Sequence, residues 1–163
     1  MANTQSMCTS FMSELMYGYH QFGQPTLTSR GSLTAPTNDT FKGALYLTTA
    51  TINASTTAYS ATGEVSGTGY TAGGVAVTNA TAPTYSNTSS TAGTAYWTPS
   101  ASLSYTSVTL TTAFDAVLIY NSSSSNKAVS VHTFGSQTVT AGTFTLTMPS
   151  NTTSTALIRL ATT

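Results

Sequence analysis

Charge is the scarcest property of this chain. Its 163 residues include four Lys or Arg and four Asp or Glu, a charged fraction of 5% with zero formal net charge. An average globular protein carries about 25%. Four cations cannot neutralise many phosphates, which excludes nucleic-acid binding driven by counterion release. The same scarcity excludes a polybasic contact with a membrane surface. Long apolar runs are also missing, and none approaches the ~20 residues of a membrane-spanning helix. Cys8 is the only cysteine, so no disulfide forms within the chain and no metal site can rest on thiolates. The opening residues, MANTQSMCTSFMSELMYG, have neither the charged n-region nor the unbroken apolar h-region of a Sec-type signal.

Thr, Ser, Ala and Gly fill the space that charge leaves, the vocabulary of hydroxyl-faced sheet and tight turns. Apolar residues make up 39% and aromatics 10%, enough to bury a core in one domain of this length. Net charge near zero promotes self-association, which suits a protein that lives by assembling better than a free enzyme.

The clearest pattern runs from Phe114 to Met148. Ala116-Val117-Leu118-Ile119-Tyr120 is continuous and rich in β-branched residues, as for a strand covered on both faces. A polar turn at Asn121–Asn126 leads into a second strand, Ala128–Phe134. Gly135-Ser136 and Ala141-Gly142 read as breaks. Thr143–Met148 then alternates polar and apolar, a strand with one wet face. Phe41–Leu47 reads as an earlier strand, with Phe41, Leu45 and Leu47 on one face. Shorter candidates lie at Thr56–Tyr59, Val75–Thr78, Ala95–Thr98, Leu103–Tyr105, Val108–Leu110 and Ala156–Leu160. Roughly eight or nine short strands, with turn signals about every 8–12 residues, predict an all-β fold, a single antiparallel β-sandwich of jelly-roll-like type. Residues 41–163 would form that sandwich, and residues 1–40 a helix and extended arm.

Helical periodicity is confined to about Ser6–Phe22, where Phe11, Leu15 and Tyr19 recur at i, i+4 beside Met12 and Met16. Ser6 or Thr9 could cap its first turn, and Gly23 is a plausible stop. Alone such a helix is marginal, so it must dock on the sheet or on another subunit. Gly23–Asp39, with Pro25, Gly31 and Pro36, reads as an extended arm.

The titratable inventory is Glu14, Asp39, Glu64, Asp115, His20, His132, Lys42, Lys127, Arg30 and Arg159. A hydrolytic triad would need His132, a serine and Asp115, but no nucleophile-elbow motif is present. His132 reads instead as a strand residue sharing a face with Ser130 and Phe134. Two histidines over a hundred residues apart give no zinc signature, and four carboxylates are too few to single out a glycosidase pair. No catalytic residue, metal ligand or cofactor is expected. The glycine-rich stretch Thr62–Gly74 lacks the Lys-Ser/Thr of a phosphate loop and reads as a turn in which Gly67, Gly69, Gly73 and Gly74 take positive φ. Trp97 reads as core or interface, and Met7, Met12 and Met16 as a soft apolar face serving either use. The candidate interface residues are Met7, Phe11, Met12, Leu15, Met16, Tyr19 and Trp97.

At Thr62–Gly74, Tyr96-Trp97, Phe114–Asn121 and Phe134–Gly142, with the opening MANTQ and Phe22-Gly23, the chain resembles a family of small structural proteins encoded by tailed bacteriophages. That resemblance covers nearly the whole chain and implies a virion component. The role it suggests is a capsid decoration, or cement, protein on the outer surface of the head. There it would bridge neighbouring copies of the major capsid protein and pair with itself as a homotrimer or homodimer. The alternative is a tail, fibre or head-fibre module that stacks host glycans on Trp97, Tyr70 or Tyr85. The helical arm is expected to carry the contact, and its removal with residues 1–23 to leave the sandwich folded.

Overall fold

The computed structural model describes residues 3–22, 38–78, 82–87 and 92–162. Among the described residues there are two antiparallel sheets and one short helix, so the all-β, sandwich-like expectation holds. In chain order the elements are β1 (Ser6–Met7), α1 (Thr9–Met16), β2 (Phe41–Leu47), β3 (Val75–Ala76), β4 (Thr84–Asn87), β5 (Gly93–Trp97), β6 (Leu103–Asn121), β7 (Lys127–Leu146) and β8 (Ile158–Ala161). The larger sheet runs β1-β7-β6-β2-β3 and the smaller β4-β5-β8.

One correction concerns β6 and β7. The short runs at Leu103–Tyr105, Val108–Leu110 and Ala116–Tyr120 are pieces of one 19-residue strand, and its partner extends over 20 residues. Gly135-Ser136 and Ala141-Gly142 do not end β7. The irregular sequence is absorbed as register shifts between β6 and β7, four of them between Tyr105 and Ala116, with Ser107 and Ala141 at positive φ. Such irregularities add local bend and twist, and the hairpin folds back on itself. Leu103, at its far end, returns over β2: a Cβ at Gly43 would lie 2.6 Å from Leu103 Cδ1. The Tyr105 hydroxyl donates to the Gly43 carbonyl at 2.8 Å. Inside the bend Phe144 meets Phe114 edge-on at 5.1 Å and Phe134 at 5.3 Å. One hairpin therefore helps to build both layers.

Register assigns the two faces of the larger sheet. Phe41, Gly43 and Leu45 share one with Val117, Ile119 and Asn121. Trp97, from the smaller sheet, and Phe22 pack there against Phe41. Ala44 and Tyr46 share the opposite face with Ala116, Leu118 and Tyr120, and the segment 48–74 covers it. Gly69, Gly73 and Gly74 in that segment have positive φ as expected, but Gly67 does not. At Gly67 it is the missing side chain that matters, because a Cβ there would sit 2.1 Å from the Thr109 carbonyl oxygen.

The amino-terminal helix is shorter than expected and belongs to the core. Its N-cap is Cys8, without a side-chain cap bond, rather than Ser6 or Thr9. It ends at Met16, with Gly18 rather than Gly23 as its stop. With φ +73°, Gly18 donates to Leu15 O and Tyr19 to Glu14 O, the paired bonds of a Schellman motif. Before it, β1 pairs with Val131 and Ser130, and the Cys8 amide donates to Val129 O at 3.0 Å. Phe11 is fully buried against Phe22 and His20. Residues 3–22 are thus packed into the same core as the strands, and loss of residues 1–23 would open it. The expected arm over Gly23–Asp39 falls almost wholly outside the described residues.

Candidate functional site: buried polar networks and exposed apolar residues

Glu64 is the centre of the first network. It is the carboxylate of the glycine-rich stretch and is nearly buried. Its position is fixed by an isolated bridge to Tyr46, at the edge of β2. Tyr59 Oη donates to Glu64 Oε2 at 2.6 Å, while Tyr70 Oη and the Gly73 amide each donate to Oε1 at 2.7 Å. Tyr70 Oη in turn accepts from the Leu45 amide at 3.0 Å, and Tyr120 Oη donates to Gly73 O at 2.9 Å. Burial, then the nearby Glu64 charge, raises the pKa of Tyr59, Tyr70, Tyr105 and Tyr120. The same burial pushes Tyr46 up to about 12 despite its bond to Ser60 O. A carboxylate that accepts three donors from its own segment and its flanking tyrosines is held in place by the fold. Its chemistry is to staple segment 59–74 onto the sheet. Sequence reasoning missed this role; Tyr59 and Tyr70 flanking the only carboxylate of the stretch were the available signal.

Glu14 anchors the second network. It is buried on α1 and accepts from His20 Nε2 and from Lys127 Nζ, both at 2.8 Å. Burial alone would raise its pKa, but the Lys127 and His20 hydrogen bonds outweigh burial and hold it below the ordinary value. For His20 burial prevails over the Glu14 contact, so its pKa falls. The neutral ring donates from Nε2 to Glu14 and accepts at Nδ1 from Asn121 Nδ2, 3.1 Å away. Asn121 Nδ2 also reaches Asp39 Oδ2 at 2.6 Å, and Lys127 Nζ lies 4.9 Å above the Tyr19 ring. The cluster pins the helix to β7 and to the end of β6.

His132 and Ser130 share a face of β7 as expected, with Ser130 Oγ 2.8 Å from His132 Nε2. Burial lowers the His132 pKa to about 4, which makes it a poor general base near neutrality. Asp115 is bonded to Asn3 Nδ2 at 2.7 Å, so no triad assembles. Cys8 is fully buried, and burial pushes its thiol up to about 12. Among the described residues no three His, Cys, Asp or Glu side chains group as metal ligands.

The candidate interface residues separate into two sets. Phe11 and Trp97 are buried in the core, with relative exposures of 0% and 2%. Met7 and Leu15 are partly buried against the core. Met12, Met16 and Tyr19 are exposed, Met16 by 89%. Tyr17, 78% exposed, was missed; its ring lies 5.9 Å from that of Tyr19. Met12 and Met16, one turn apart on α1, and the two tyrosines are thus outward-facing apolar residues. No protein-family model, curated protein or solved structure matches the chain.

Proposed function

We propose that this chain is a virion structural protein of a tailed bacteriophage, a capsid decoration protein that binds the outer head surface and bridges major capsid protein subunits. The observation that carries this reading is the exposed group Met12, Met16, Tyr17 and Tyr19 on a helix anchored from behind by Phe11 and Glu14. Apolar side chains held rigidly in water favour burial against a partner, and methionine adapts to irregular surfaces. Glu14 and Glu64 are committed to holding the fold, which supports a binding role over catalysis. A cement protein stabilises a shell by binding the assembled form and not its parts, and closed symmetry, as a homotrimer or homodimer, suits its seams. The glycan-binding alternative loses support: Trp97 is buried and Tyr70 is bonded to Glu64, leaving Tyr85 as the one exposed ring of the three.

The test is cryo-EM of purified phage particles with the chain fitted into the density. Density on the outer head at capsomer junctions, diminished by Met12→Ser/Met16→Ser, is the expected result. Density confined to the tail or fibres, or full occupancy by the double variant, would refute the assignment or the contact.

A further inference from the structure

A groove of about 500 Å³ opens between the two sheets, lined by β1, β7, β8 and the residues flanking them. Gln5, Ser130, His132, Thr133, Thr155 and Arg159 supply its polar groups, and Met7, Leu146 and Ile158 its apolar ones. The lining holds a cation, Arg159, and no acid. Arg159 makes no ion pair among the described residues. His132 uses Nε2 for Ser130 Oγ, and its Nδ1 makes no hydrogen bond among the described residues. β8 is paired only to β5, leaving the backbone groups of its other side unpaired among the described strands.

We infer that this groove binds an extended peptide segment of a partner protein through a Glu or Asp side chain. Arg159 supplies the charge for the carboxylate. Ser130 Oγ–H donates to His132 Nε2, which leaves the ring proton on Nδ1 to donate to the second carboxylate oxygen. The free edge of β8 offers main-chain pairing, the usual basis of strand addition, and the apolar lining takes neighbouring side chains. A small carboxylate would use only the polar corner of such a site, which is why the occupant is a peptide. The inference does not depend on the virion reading.

The test uses the isotope-labelled full chain, with backbone amide shifts followed by NMR. The probes are the blocked hexapeptide acetyl-Ser-Val-Glu-Thr-Ser-Thr-amide, its Gln analogue and N-acetylglutamate amide. Saturable shifts at residues 130–133 and 157–160 are expected with the Glu peptide. The Gln peptide should bind about tenfold more weakly, as loss of a charge-assisted bond implies. Arg159→Gln should bring the Glu peptide down to that level without changing the fold, while Arg159→Lys keeps most of the preference. No saturable shift at these residues, equal affinity for both peptides, or a preference unchanged in Arg159→Gln would overturn the inference. So would N-acetylglutamate amide binding as tightly as the peptide.

Discussion

Replacing Glu64 by Gln keeps the side chain's size and removes its charge, which isolates the role of the carboxylate. In the native structure it accepts from two tyrosine hydroxyls and one amide, all at 2.6–2.7 Å. Hydrogen bonds to charged groups contribute about 1.5–3 kcal/mol each, and neutral ones about 0.5–1.5. Three such exchanges give a loss of roughly 3 kcal/mol. At about 2–4 °C per kcal/mol for a domain of this size, the melting temperature should fall by about 6–12 °C. Urea denaturation followed by far-UV circular dichroism measures the loss directly. A double-mutant cycle adds specificity. Tyr59→Phe should cost about 1.5–3 kcal/mol in the native background and clearly less in the Glu64→Gln background, because the charged acceptor is already gone. A loss for Glu64→Gln below about 0.5 kcal/mol, the range of an ordinary surface change, would refute the view that the glycine-rich segment is held by its carboxylate.

Phe11→Ala should cost about 3–5 kcal/mol as a buried aromatic lost from the core, whereas Met16→Ser should stay within about 0.5 kcal/mol; similar melting temperatures for the two would contradict the placement of α1. On the acid side, the His132 pKa lies at about 4 against an ordinary 6.5, so the unfolded chain binds the extra proton. Its contribution is complete above pH 6.5 and lost as pH falls towards 4, by at most about 3 kcal/mol. Urea midpoints for the native chain and His132→Gln should converge across that window, and parallel curves would exclude the effect. On the alkaline side, the buried tyrosines around Glu64 have pKa values above their ordinary 10. Their contribution is present below pH 10 and declines above it, as the unfolded chain loses protons first. The part of the tyrosinate absorbance that Tyr70→Phe removes should therefore appear only together with loss of circular dichroism; its appearance in a folded chain would disprove it.

Most of the strands were legible because they were written locally, but β1 and β4 carried no strand pattern and the expected strand at Thr56–Tyr59 did not form. Alternation in Thr143–Leu146 and the continuous apolar run Val117–Ile119 each specify extended chain with defined faces. Phe11, Leu15 and the neighbouring methionines likewise revealed a helix from their spacing. The same local signals misled at Gly135-Ser136 and Ala141-Gly142, where turn-forming residues serve as irregularities inside one long strand. Whether a glycine or serine ends a strand or bends it depends on a cross-strand partner tens of residues away, and no local pattern encodes that partner.

Composition by itself determined that the chain would be hydroxyl-rich sheet with little charge, because those propensities act residue by residue. Which side of α1 is buried, which tyrosines surround Glu64, and which cation is left facing a groove were decided only when the hairpin folded back and the helix docked. Glu14 and Lys127 stand 113 positions apart and yet lie 2.8 Å from each other. Contacts of that kind come from chain topology, where backbone bends and close packing select partners that sequence distance conceals.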